Sequence, residues 1–445
     1  MAVLMKALQV VLALSILILF HELGHFSFSK LFKVRVDKFY LFFDAGNFRL
    51  LSTKSGWFSR LFPRLKEHET EYGIGWLPLG GYCKINGMVD ESMDTEALKE
   101  ESKPYEFRSK PAWQRLLILA GGVLFNFILA IIVYICMMYT WGESYISNSS
   151  SSIIVNELAY DMGFRNGDRI LSYDGYVPEN FGMLQVDLAR KNVHKVTVLR
   201  GEDTLDIYID RSRIADVLDS DSMFSLAVPF IVDSIPPTSL NYGCGIRRGD
   251  RIVEVNGRSV SFVQDSRAAL AGYAGRTIPA VVVRGSDSLR FQLQVDSSGL
   301  VGIYASFPDV EQRSYSVLGA IPAGVKLTFD TIGGYLSDLR LVATPSTGAY
   351  KSVGSFIAIG QVFPSVWNWY SFLYMLALLS IMLGVMNLIP IPGLDGGHIL
   401  FTLYEMVTRR RPSLNFLIVA QWIGMILLIM LMLLAFGNDI GRLLR

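Results

Sequence analysis

VLMKALQVVLALSILILF at residues 3–20 runs without a break into HELGH at residues 21–25. The first stretch is about as long as a helix needs to cross a ~30 Å hydrocarbon core. Lys6 ahead of an apolar run would also fit a signal peptide, but no small-x-small cleavage site follows, so an uncleaved span is expected. HExxH on a helix sets its histidines at i and i+4, one turn apart on one face, with the glutamate at i+1 in reach of a metal-bound water. In a soluble helix those five residues are often only a polar face. Continuing an apolar span, where imidazoles and a carboxylate are costly, they mark function. His21 and His25 are therefore candidate zinc ligands and Glu22 a candidate general base. Zinc in such sites takes three protein ligands and leaves one position for a water, whose pKa it lowers towards ~7.

The rest of the composition agrees with membrane residence. Of 445 residues, 51% are hydrophobic and only 18% charged, which points to several spans joined to polar regions. A net charge of +1 with no long basic run gives no reason to expect nucleic acid as a partner. Cys83, Cys136 and Cys244 are odd in number and far apart, so no disulfide framework or CxxC metal knuckle follows. Of five histidines, His68 and His194 sit in polar surroundings and read as surface residues.

Four stretches are apolar enough to cross a bilayer, at about 3–20, 117–139, 372–392 and 414–436. The loop between the first two carries Lys30, Lys33, Arg35, Lys38, Arg60, Arg64, Lys66, Lys84, Arg108 and Lys110, and the loop between the last two carries Arg409, Arg410 and Arg411. Both are expected in the cytoplasm by the positive-inside rule. Residues of about 141–370 and both termini then lie outside it, with Arg442 and Arg445 running mildly against the rule. Spans one and three end on the same face, so HELGH can meet the run NLIPIPGLDGGH at 387–398. Its prolines and glycines break the helix, which membrane depth tolerates where the backbone is buried in protein or lines a wet cavity. Asp395, the carboxylate of that run, is the expected third ligand. His398 is its rival, with a place at the helix start beside the metal as the alternative.

With these motifs the chain resembles the site-2 protease family, and within it the bacterial regulator-of-sigma-E protease group. The resemblance rests on HELGH at 21–25, NLIPIPGLDGGH at 387–398, GIGWLPLGGYCKINGM at 73–88 and FRSKPAWQRLLILAGGVLFNF at 107–127, and covers nearly the whole chain. It implies an intramembrane zinc metalloprotease with His21, His25 and Asp395 on zinc, Glu22 as the catalytic glutamate and Asn387 holding the substrate backbone. One departure is Val123, three residues before Asn126, where the motif more often has proline.

A membrane protease must unwind its substrate and give the freed backbone groups new partners. Glycines in 73–88 permit turns, and Tyr82, Cys83, Lys84 and Ile85 can form a short strand whose edge pairs with an extended peptide. The resemblance implies a membrane-associated β element here; the alternative is a structural hairpin packed on span one. Residues 89–106, rich in acidic side chains, are assigned no chemistry.

Outside the membrane lies an internal repeat. GFRNGDRILSYDG at 163–175 matches GIRRGDRIVEVNG at 245–257 in seven of thirteen positions, and Arg200-Gly201 with Asp203 answers to Arg284-Gly285 with Asp287. Gly-Asp turns and Asp/Asn-Gly hairpin signals suit small β-rich domains, and the pattern resembles tandem PDZ domains at 152–212 and 225–297. They would either capture peptide ends by strand addition or exclude bulky substrates.

The expected organisation is thus a multi-pass α-helical membrane protein with four spans, a membrane-associated β element and two extracytoplasmic β-rich PDZ-like domains. Its parts are a membrane core at 1–140 and 371–445, the two modules, and a region at 298–370. In that region 316–342 has a rough helical period suited to lying on the membrane or covering the modules. GSFIAIG at 354–360 loosely resembles a family glycine-rich motif of unassigned role. The expected location is a bacterial inner membrane, with the site near the cytoplasmic side and the lipid bilayer as its surroundings. Expected substrates are spanning segments of membrane proteins, such as an anti-sigma factor trimmed by another protease, or leftover signal peptides. A zinc-containing scaffold that recruits envelope proteins would need the ligands but not Glu22, and a transporter fits the two extracytoplasmic modules poorly.

Overall fold

The computed structural model describes residues 2–78, 80–88, 101–220 and 222–444. They form two compact units, one from Met1–Gly142, Ser314–Arg340 and Lys351–Arg445, the other from Glu143–Arg313 and Leu341–Tyr350. Of the acidic loop at 89–106, residues 89–100 lie outside the described residues.

Among the described residues of the first unit, four helices are long and apolar enough to cross a membrane: Ala2–Leu31, Ala112–Thr140, Trp369–Leu388 and Leu414–Gly441. Their ends follow local chemistry. Span two ends where Gly142 takes a positive φ and its N–H reaches the Met138 carbonyl. Asn368 caps span three by accepting from the Ser371 N–H, and the helix stops at Leu388, short of 392, because Pro390 and Pro392 cannot continue it. Span one runs on to Leu31, so HELGH lies inside the helix and its backbone is already paired.

Spans two and three form the interior, with half of each apolar window buried against 17% for spans one and four. Ala13 and Leu17 of span one, Ala130 and Tyr134 of span two, and Phe372, Leu376 and Ile381 of span three share one core. Spans one and two touch backbone to backbone: a Cβ on Gly24 would lie 2.1 Å from the Gly121 carbonyl oxygen. The helix Val317–Val342 belongs to this unit up to Arg340 and packs along span two, where a Cβ on Gly324 would meet the Ile135 nitrogen at 2.6 Å. Its small and apolar face fits the bundle.

GSFIAIG opens a short helix, Phe356–Val362, whose first turn is capped by Asp439 of span four. That carboxylate accepts from the Ser355 N–H and hydroxyl at 2.8 and 2.5 Å and from the Ala358 N–H at 3.2 Å. From span one, Gln9 donates to the Pro364 carbonyl (2.8 Å) and Lys6 to that of Gln361 (2.9 Å). The motif is a clamp between the first and last spans.

After span one the chain forms a four-stranded sheet of β1 (Val36–Leu41), β2 (Arg49–Ser52), β3 (Glu71–Gly75) and β4 (Tyr82–Ile85), in the order β2-β3-β1-β4. β1 and β3 are parallel and the other pairings antiparallel, which leaves β4 at an edge. The sheet closes around Glu71, which accepts from Tyr40 (2.7 Å), Ser52 (2.6 Å) and Arg49 (2.9 Å). Burial opposes its ionisation, but these donors hold its carboxyl below the ordinary value.

In the second unit the sequence repeat is a structural one. Arg169–Tyr173 pairs with Lys195–Arg200 in one copy and Arg251–Val255 with Thr277–Arg284 in the other, each with a bulge after the isoleucine, Ile170 or Ile252. Arg200 grips Asp168 at 2.8 and 2.7 Å, and Arg284 grips Asp250 at 2.7 Å through both contacts. Gly167 and Gly249, ahead of those aspartates, take φ near +90°, which a side chain would strain.

The modules are longer than expected. Phe224–Ala227, expected at the start of the second, pairs with Ser152–Val155, and the first core takes in Val217, Met223 and Phe224 beyond residue 212. Likewise Tyr304–Ala305, beyond 297, pairs with Val232–Ser234 to close the second, whose core runs from Phe230 to Val301. Each chain segment returns to its own opening strand.

Candidate metal centre

Both imidazoles of HELGH are held by span two. His25 Nδ1 lies 2.9 Å from the Ile118 carbonyl oxygen, which can only accept, so Nδ1 carries the proton and Nε2 keeps its lone pair. His21 Nδ1 lies 3.2 Å from the side-chain amide of buried Asn126, whose own oxygen has no partner. Half a turn of that amide sets the oxygen opposite a His21 Nδ1–H and satisfies both groups. Ser380 of span three donates to the Asn126 carbonyl at 2.8 Å, tying all three helices together at this level. Gly122 must lack a side chain, since a Cβ there would meet His25 Nε2 at 2.4 Å.

Asp395 arrives on a different backbone. After Leu388 the chain turns through Pro390 and Pro392, and a new helix, Asp395–Thr408, starts at the aspartate. The turn is tight enough that a Cβ on Gly396 would meet the Ile389 carbonyl oxygen at 2.2 Å, and one on Gly397 that of Ile391 at 2.6 Å. Span four backs it through Gly424, with no room for a side chain against the Pro392 carbonyl.

The three donors then converge. His21 Nε2 lies 3.3 Å from His25 Nε2 and 3.3 Å from Asp395 Oδ2, which is 3.4 Å from His25 Nε2. A tetrahedron of ligands on ~2.0–2.1 Å arms, the bond lengths of zinc to imidazole and carboxylate, has edges of about 3.3–3.4 Å. Asp395 Oδ2 is buried without a hydrogen-bond partner, an arrangement that costs stability unless a cation stands among the three atoms. The residues present fit zinc. Among the described residues this is the group of donors close enough to hold an ion, and His398 is not in it.

Glu22 shares a cavity of ≈ 480 Å³ with the three donors, and its carboxyl lies against the backbone N–H of Cys83. The β4 residues Tyr82, Cys83, Lys84 and Ile85 form one wall; Asn387, His398 and Gln421 complete it. The Asn387 amide nitrogen is 3.5 Å from His21 Nε2. Burial and the nearby Glu22 carboxylate push the Cys83 thiol well above its usual value, so it stays protonated. The candidate site residues His21, Glu22, His25, Tyr82, Cys83, Lys84, Ile85, Asn387 and Asp395 therefore line one cavity. Sequence reasoning passed over Asn126 and Gln421, although an amide inside an apolar span is itself a signal. The Ile118 carbonyl left no signal to read.

Comparison with known proteins agrees with this chemistry. The profile of peptidase family M50 matches residues 9–431. A putative zinc metalloprotease of Xylella fastidiosa (strain Temecula1) is 29% identical over 461 residues, covering 97% of both chains. The regulator of sigma-E protease RseP of Escherichia coli (strain K12) is 28% identical over 97% of this chain and 98% of its own. Protease RseP of Yersinia pestis is 27% identical over 100% of both.

Proposed function

The chain belongs to peptidase family M50, a family of zinc metalloproteases, and on that premise we propose that His21, His25 and Asp395 hold the zinc and Glu22 is the base of an intramembrane endopeptidase. The observation that carries this reading is the triangle of donor atoms with zinc-like edges beside a glutamate in the same cavity. Zinc, when bound, supplies a Lewis acid that polarises water and the scissile carbonyl. The chain's residues do the rest. The Glu22 carboxylate takes a proton from the attacking water as its oxygen bonds to the carbonyl carbon. It returns that proton to the amide nitrogen as the C–N bond breaks, leaving an acid and an amine. Asn387 hydrogen-bonds the substrate backbone, and the free edge of β4 offers N–H and C=O groups to an unwound segment.

Four helices long and apolar enough to cross a membrane support membrane proteins as the substrates. Relatives that bear the name regulator of sigma-E protease favour a substrate in sigma-factor regulation, and the substrate proposed is a spanning segment of an anti-sigma factor already trimmed by another protease. The basic loops favour a bacterial inner membrane with the site near the cytoplasmic side. The two repeats, 152–227 and 230–305 by their strand pairings, are PDZ-like modules on the other side of the membrane that either limit the size of what enters, the reading we favour, or capture peptide ends. Metal analysis of purified protein tests the ligand set: wild type should carry one zinc per chain and Asp395→Ala almost none, since two imidazoles alone bind weakly. Full occupancy of Asp395→Ala would overturn the assignment.

A further inference from the structure

We propose that His398 is a further catalytic group, donating a hydrogen bond to the carbonyl oxygen of the scissile peptide as negative charge builds on it. This rests on the reading of the site given above. His398 follows Asp395 by three residues in the first turn of the helix Asp395–Thr408, so both lie on one face. Asp395 faces the two imidazoles, and His398 lines the same cavity as Glu22 and Asn387 without joining the donor triangle. It is near the reacting atoms and free of the metal.

Its ring is braced. Phe401 meets it edge-on at 6.4 Å, and the Gln421 side chain of span four lines the same cavity beside it. Gln421 is only 6% exposed in a span whose apolar window is mostly uncovered, an expensive place for an amide unless it has work to do. Gly424, three residues on, lets span four approach the Pro392 turn closely enough to put the amide there. For His398 to donate, the Gln421 amide nitrogen, rather than its oxygen, must meet one ring nitrogen, so that the single N–H of the neutral imidazole sits on the other.

The chemistry needs such a donor. When the water oxygen adds to the carbonyl carbon, the C=O π electrons move onto oxygen, and a preorganised N–H aimed at that oxygen lowers the barrier. Glu22 is an acceptor in that step and Asn387 is engaged with the backbone. Lys84 also lines the cavity, but residues alternate along a strand, and Cys83 is the one facing Glu22. Lys84 is engaged in an interaction of its own. No proton leaves His398, which serves neither as base nor as ligand.

The test uses the full-length enzyme in detergent with a labelled spanning peptide. His398→Ala should keep one zinc per chain, lose on the order of 10²-fold in kcat and hold KM within a few-fold. A phosphinate analogue of the substrate, which mimics the charged oxygen, should bind correspondingly more weakly, while a hydroxamate that engages zinc alone should bind unchanged. Should His398→Ala fail to fold, His398→Phe, which keeps a ring but has no N–H, is read in its place, and Gln421→Leu should show a smaller loss of kcat with the same selectivity between inhibitors. Loss of zinc, kcat within about three-fold of wild type, or equal weakening of both inhibitors would overturn the proposal. Turnover by Glu22→Gln would instead overturn the reading of the site, whatever His398 does.

Discussion

Gly122 stands where any side chain would strike His25 Nε2, and one turn further along span two Asn126 holds His21. Residues that touch no substrate thus aim the ligands. Gly122→Ala should reduce zinc affinity sharply, because the new methyl group must displace an imidazole that the Ile118 carbonyl fixes from behind. Asn126→Leu should lower it by roughly 10–100-fold, the usual effect of removing the partner that orients a ligand. Zinc titration against a competing chelator reads both, and an affinity within two-fold of wild type for both variants would contradict the account. At this scale the sequence was legible where chemistry is costly: His21, Glu22, His25 and Asp395 are polar groups in or beside apolar spans. Support from backbone carbonyls and absent side chains leaves no such trace. The twin glycines 121–122 could be seen, but not that one serves a helix crossing and the other an imidazole.

Among the elements, the strand at Tyr82–Ile85 was readable from its glycine-flanked β-formers, and its place at a sheet edge was not. Edge position depends on β1 lying between it and β3, a non-local pairing that periodicity does not encode. The repeats show the same limit. Gly-Asp turns and arginine-glycine hairpins announce two copies, yet the closing strands Phe224–Ala227 and Tyr304–Ala305 are short and pair across about 70 residues, so the expected boundaries fell short. The repeated ion pair has a measurable consequence. Hydrogen bonds from Arg284 outweigh the cost of burial and hold the Asp250 carboxyl below its ordinary value. A depressed folded pKa stabilises above the unfolded value of ~3.9 and loses that contribution as pH falls through the folded one. Amide exchange in the strand Thr277–Arg284 should therefore stay slow from neutral pH to about 4 and quicken below it, after correction for intrinsic rates. Arg284→Leu should speed exchange at neutral pH several-fold, because the Asp250 carboxylate loses the guanidinium that donates to it. An unchanged rate would show that the pair contributes nothing.

At the scale of the whole molecule, every proposed ligand and the base lie in the unit that holds the four spans, and both repeats lie in the other. Removing residues 152–305 should leave zinc content unchanged. If the modules exclude by size, substrates with folded outer domains should become cleavable while trimmed ones are cut as before. If they capture peptide ends, trimmed substrates should be cut more slowly, because tethering raises effective concentration. Cleavage rates of one spanning segment carrying either a folded domain or a stub, on both enzyme forms, separate the two, and an unchanged ratio would exclude the filter. The central claim is narrower: a glutamate beside a two-histidine, one-aspartate zinc site is the base that hydrolyses peptide bonds of membrane-spanning segments. Glu22→Gln keeps the shape and hydrogen bonding of the side chain but cannot accept a proton. Zinc content and cleavage of a labelled spanning peptide, measured together on wild type and Glu22→Gln, test it most directly. One zinc per chain in both, with turnover in wild type alone, is the result predicted; cleavage by Glu22→Gln within a few-fold of wild type would contradict it.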